Sequence, residues 1–103
     1  MVRFDWDAEK AETNLKKHEV AFEEARTVFS NDYARQFFDE DNSKDEDRFL
    51  LLGASNRCRL LIICHCVREE SESAGGEEVI RIVSAREATA AERTFYEDHC
   101  HER

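Results

Sequence analysis

The side chains best able to do chemistry are a set of cations and one titrating group. Lys10, Lys17, Arg48, Arg81 and Arg86 can each hold an anionic oxygen. His18, whose unperturbed pKa is about 6.5, can exchange a proton near neutral pH. Such a set suits acid–base chemistry at an anionic centre, with the arginines holding charge while the histidine moves a proton. Arg86 has a further asset, because it stands where a strand gives way to a helix and free amides can assist an anion. Each residue also has a plainer use. Lys10 and Lys17 can sit solvated on a helix, as most lysines do, and His18 can cap a helix C-terminus, where positive charge is favoured. Arg81, in an otherwise apolar strand, can close a polar network with an acid such as Glu92.

Cys64-His65-Cys66 invites a zinc reading, with His99-Cys100-His101 as the other half. On a strand, however, the two cysteines face one side and His65 the other. The pair also lacks the spacing of a zinc knuckle. No metal and no cofactor are therefore expected. There is no Ser-His-Asp order, phosphate-binding glycine loop or H-E-x-x-H motif, and three glycines leave little material for a nucleotide cradle.

The elements that must position these residues follow from periodicity. Residues 2–6 alternate apolar and polar as a short edge strand does. Asp7 can cap a helix over residues 8–17, which sets Ala8, Ala11 and Leu15 on one stripe and Lys10, Asn14 and Lys17 on the next. Phe22, Ala25 and Phe29 mark a second helix over residues 21–29. Strands are then expected over residues 34–39, 48–54, 59–67 and 79–84. The third of these is nearly all apolar and so central, and Gly75-Gly76 supplies a turn before the last. Thr89 and Glu92 form a capping box that opens a helix over residues 90–99, which makes Glu92 a structural partner before it is a base. The expected fold class is α+β: an antiparallel meander of about four strands, with two N-terminal helices and one C-terminal helix against one sheet face. Leu50, Leu52, Leu61, Ile63, Ile80 and Ile82 should form the core with Phe22, Phe29 and Phe95. Trp6 reads as a core or interface aromatic.

The 103 residues fit one domain, residues 1–103. The net charge of −9 disfavours non-specific nucleic-acid binding through the overall field. Six acids against Lys44 crowd residues 39–47, and five more lie in residues 69–78. Both stretches read as solvated loops, which leaves room for a local basic site elsewhere. No apolar run approaches a membrane span, and the N-terminus lacks the pattern of a signal peptide. Two of the four cysteines lie in the most apolar segment and read as reduced thiols, so a cytoplasmic location is expected.

An ordered set of residues resembles the BrnT toxin family. Phe4-Asp5-Trp6-Asp7, Lys10, Asn14, Lys17-His18, Val20, Phe22-Glu23-Glu24-Ala25 and Val28-Phe29 are similar to its opening. Asp47-Arg48-Phe49, Leu52-Gly53-Ala54-Ser55, Ile80 through Arg86, Ala88-Thr89, Glu92-Arg93 and Tyr96 resemble the rest. The family commonly has glycine after the Lys-His pair; here Glu19 must take that helix exit, at some conformational cost. The resemblance implies a RelE-like fold and a type II toxin acting as a metal-independent endoribonuclease that inhibits translation. It also implies a BrnA-like ribbon-helix-helix antitoxin, a heterotetramer with it, and operator DNA bound only through that complex.

For such a reaction Lys17, His18, Arg48, Arg81 and Arg86 are the expected catalytic set, converging on one patch. Lys10, Asn14 and Tyr96 are the expected RNA contacts. The competing expectation is a non-catalytic interaction module of the same fold that binds a basic or DNA-binding partner; a metal-binding regulator is a third.

Overall fold

The computed structural model describes residues 2–70 and 77–99. The turn expected at Gly75-Gly76, and Cys100 and His101 of the zinc reading, lie outside those residues. The described elements are β1 (Val2–Asp5), α1 (Ala8–His18), α2 (Phe22–Ala25), β2 (Arg35–Phe38), β3 (Phe49–Ala54), β4 (Leu60–Glu70), β5 (Glu77–Glu87) and α3 (Ala90–His99).

The strands form one sheet in the order β1-β5-β4-β3-β2. The meander β2 to β5 runs antiparallel in chain order, as expected. The four-stranded reading needs correction, because β1 joins as a fifth strand, parallel to β5 with Phe4 opposite Ile80. Its hold is more than backbone: the Phe4 ring meets Phe29 edge-on at 5.2 Å. The sheet is therefore mixed.

The placement of the helices on one face is also corrected. Alternate residues of β3 and β4 point to opposite sides. One face carries Leu51, Leu61, Ile63 and Ile82, packed with Val20, Phe22 and Val28 from the N-terminal segments. The other carries Leu52, Leu60 and Ile62, with Phe95 and Tyr96 of α3 against them. A central strand apolar on both faces must be covered on both, and α3 does this only over the β3 side. Leu52, Leu61, Ile63, Ile80, Ile82 and Phe22 are buried as expected, whereas Leu50, Phe29 and Phe95 are half-buried.

The second helix is shorter than its apolar spacing implies. Only residues 22–25 are α-helical, and residues 26–30 tighten into a 3-10 helix. Thr27 donates its hydroxyl to the Glu24 carbonyl at 2.6 Å, a local bond that competes with continuation of the helix. Gly53 is needed where this segment crosses β3, since a Cβ there would lie 2.9 Å from both Ala34 Cβ and Val28 Cγ1. Nearby, the buried Glu24 carboxylate accepts from Ser55 Oγ at 2.6 Å and Arg59 Nε at 2.9 Å. That network ties α2 to the β3–β4 turn, and Arg59 holds the Glu24 carboxyl below the usual range.

Candidate active site

The site is built on the sheet face that α3 leaves partly open. Leu50, Ile62, Cys64 and Ser84 line a cleft of about 400 Å³, walled by His18, Asp39, Asn42, Arg48 and Arg86. A bulge between Cys64 and His65 shifts the register, so that Cys64 faces Ser84 while His65 faces Ile82, leaving Val83 as the additional residue. The bulge keeps His65 and Ile82 in the core and lets Cys64 and Ser84 line the cleft.

His18 ends α1, and its position is set by a buried anchor one turn earlier. Asn14 donates Nδ2 to the carbonyls of Val20 and Ala85, both at 2.9 Å, and accepts the Ala85 amide at 3.0 Å. The two bonds to Ala85 bolt α1 to β5, and the third ties down the connection that follows the helix. Glu19 then leaves the helix in the left-handed conformation, φ 58° and ψ 33°, with its amide donating to Leu15. The expected helix exit is present, with glutamate taking the strain that glycine would avoid.

Arg48 enters from the end of β3. Its carbonyl accepts the Asp39 amide at 2.9 Å, and its own amide donates to Ser43 Oγ at 3.0 Å. These bonds fold the acidic loop back beside the cleft. The Arg48 Nε is shielded from solvent yet has no hydrogen-bond partner among the described residues. A buried donor left without a partner is costly. Arg86, on β5, makes two bonds to the Glu92 carboxylate, at 2.8 and 2.9 Å. This pairing, with the Thr89 amide, lowers the Glu92 carboxyl to about 2. Burial pushes the Cys64 thiol up, so it lines the cleft as a neutral group.

An adjoining groove runs along α1, where Glu9, Lys10, Thr13, Asn14, Lys17 and His18 face Val83 and Ser84. Lys17, His18, Arg48 and Arg86 thus gather around two neighbouring depressions, with Lys10 at the outer one. Asn14 borders the groove but is buried, its amide engaged with the backbone. Arg81 does not line either depression; it bonds Asp5 of β1 at 2.9 Å, and its acidic partner is Asp5 where Glu92 was expected. Tyr96 packs with the α3 cluster and accepts from Asn31 Nδ2 at 3.0 Å. Sequence reasoning missed Asp39 and Asn42, which wall the cleft: both sat in a run of acids and polar residues that looked only solvated.

Cys64 and Cys66 face one side of β4 and His65 the other, where it is buried between Phe29 and Phe49. No cluster of metal-ligating side chains occurs among the described residues. No helix among them is long and apolar enough to cross a membrane.

A five-stranded mixed sheet with three helices, carrying a cleft walled by His18, Asp39, Arg48 and Arg86, defines an α+β protein. Residues 6–92 match the family model of the ribonuclease toxin, BrnT, of type II toxin-antitoxin systems, and the chain belongs to that family. It is therefore a toxin whose class acts on RNA and partners an antitoxin. The fold is similar to the crystal structure of the Brucella abortus ribonuclease toxin BrnT, with a TM-score of 0.59 and 23% identity over 86% of this chain and 99% of that one. No curated protein sequence matches significantly.

Proposed function

We propose that the chain works as a single domain, a RelE-like endoribonuclease that cleaves RNA without a metal ion and so inhibits translation in the cytoplasm. Arg48 and Arg86 hold the non-bridging oxygens of the scissile phosphate. His18 takes the proton from the 2′-hydroxyl, the 2′-oxygen bonds to phosphorus, and the bond to the 5′-oxygen breaks. Lys17 supplies positive charge and a proton to the departing 5′-oxygen. The products are a 2′,3′-cyclic phosphate and a free 5′-hydroxyl. Lys10 guides the flanking strand along the α1 groove. Asn14 serves by holding α1, and Arg81 and Tyr96 are assigned no contact with the reacting phosphate.

The observation that carries this reading is the cleft that Arg48 and Arg86 share with His18. A non-catalytic interaction module is the second reading, favoured by the Glu92 carboxylate already on Arg86. A BrnA-like ribbon-helix-helix antitoxin would neutralise the site in a heterotetramer, two toxins bridged by an antitoxin dimer. That assembly would contact operator DNA through the antitoxin.

The test is end-labelled RNA incubated with the purified protein and a chelator. Fragments ending in cyclic phosphate are expected. Arg48→Ala and His18→Ala should each cut about 10²-fold more slowly, or worse, with unchanged melting. Uncut RNA would favour the interaction module, and cutting that needs a divalent ion would remove the metal-free step.

A further inference from the structure

Among the described residues, β2 is an edge strand, paired with β3 alone. The Asp39 amide bonds the Arg48 carbonyl, continuing the ladder in which Phe38 faces Phe49. Hydrogen-bonded and open pairs alternate along antiparallel strands, so Phe37 and Arg35 face β3 with their backbone groups. Gln36 and Phe38 turn their N–H and C=O outward. This edge carries no proline and no bulge, although it is four residues long and its Arg35 is half-buried with its guanidinium on the His99 carbonyl.

Each of its sides carries one phenylalanine beside a polar residue, Phe37 with Arg35 and Phe38 with Gln36. Phe37 is 39% exposed, with Phe95 at 5.5 Å behind it, and Phe38 is 49% exposed, with Phe49 at 5.7 Å. A strand laid along β2 would cover both rings, one from each face. Acids flank the edge: Asp32 precedes it, and Asp39, Glu40, Asp41, Asp45, Glu46 and Asp47 follow. A second copy of this chain would bring the same acids and a net charge of −9, so self-pairing is opposed by repulsion. A strand with apolar residues and flanking lysines or arginines is complementary in both respects.

We propose that the outer edge of β2 is the docking site for an extended, basic segment of the antitoxin, which adds to the sheet as a sixth strand. The proposal rests on the reading of the chain as a toxin neutralised by its antitoxin. Main-chain bonds to Gln36 and Phe38 fix the register, the Phe37 and Phe38 rings take the segment's apolar side chains, and residues 39–47 take its cations. The chain passes directly from β2 to Asp39, a wall of the cleft, so a segment continuing beyond the edge reaches the mouth of the site.

Amide hydrogen exchange on the chain alone, and on its complex with its antitoxin, tests this. Slowed exchange at Gln36 and Phe38 is expected in the complex. Phe38→Pro removes an outward donor and leaves the bonds to β3 in place; it should weaken the complex roughly tenfold or more with melting and RNA cleavage unchanged. If that variant folds poorly, Asp45→Lys with Asp47→Lys, both in the exposed loop, should slow association several-fold and flatten its salt dependence. No protection at β2, or protection confined to α1 and the cleft, would overturn the proposal. So would a homodimer that Phe38→Pro converts to monomer, which would make a second copy the occupant. Failure of RNA cleavage by the free chain would count against the ribonuclease reading alone.

Discussion

Arg86 and Glu92 meet through two parallel hydrogen bonds, and the same carboxylate accepts the Thr89 amide at 2.8 Å to cap α3. One side chain therefore holds a cation at the cleft and fixes the start of the helix that covers the rest of the same face. Glu92→Gln separates these roles, because glutamine can complete a capping box but cannot neutralise arginine. The expected stability loss is about 1 kcal/mol, read by thermal or urea unfolding. RNA should bind more tightly to the freed cation while cleavage per bound molecule slows, giving a lower KM with a lower kcat. The wild-type pair also makes an acid-dependent contribution. The Glu92 carboxyl falls from its ordinary 4.5 to about 2 on folding. Its stabilisation is thus complete above pH 4.5 and disappears as pH falls through 2. Glu92→Gln should lose that dependence.

Arg81→Ala should do little. Its pair with Asp5 is 30% and 51% exposed on the two sides, so its loss costs less than about 1 kcal/mol. RNA cleavage should stay near the wild-type rate, in contrast to Arg48→Ala. A stable Arg81→Ala protein that has lost cleavage would return Arg81 to the catalytic set.

Asn14→Ala should be severe for a different reason. It leaves the Ala85 amide and the carbonyls of Val20 and Ala85 without their partner inside the fold. An order-of-magnitude cost is about 3 kcal/mol. Because α1 then loses its bolt to β5, His18 should lose its place along with the stability. Equilibrium unfolding measures the first effect, and cleavage in the residual folded fraction measures the second. An unchanged melting temperature would show that Asn14 is not a structural tie.

How far these roles were legible in the sequence depended on how local their cause is. The Asp7 cap, the Thr89–Glu92 box and the apolar run of β4 each arise within a few residues, and periodicity reveals them. The face that α3 covers does not, since amphipathic spacing shows that a helix has an apolar side without saying which side of the sheet receives it. The parallel pairing of β1 likewise depends on β5, far along the chain. In sequence Arg81 lies within the expected strand and Arg86 at its junction with the next helix, and either could bind an anion. Their opposite fates turn on Asp5 and Glu92, which only the fold brings to them. Asp39 was hidden because an acid beside other acids carries no local mark of its place at a cleft.

His65 should make the protein acid-sensitive in a window above that of the carboxylates. It is fully buried against Phe29, with its ring centre 4.9 Å from that ring, and its weak contacts are Gln36 Oε1 at 3.3 Å and the Ile63 carbonyl at 3.4 Å. Burial favours the neutral ring and lowers its pKa from the ordinary 6.5. The unfolded chain then binds a proton that the native chain refuses, so stability from this group is complete above pH 6.5 and falls as pH drops toward the depressed native value. Urea unfolding followed from pH 7.5 to 5 should show a falling midpoint. His65→Phe, which places a third aromatic ring beside Phe29 and Phe49, should remove most of that slope. An identical pH profile in the variant would mean that the protein takes up its protons elsewhere and that His65 does not set the acid limit of the fold.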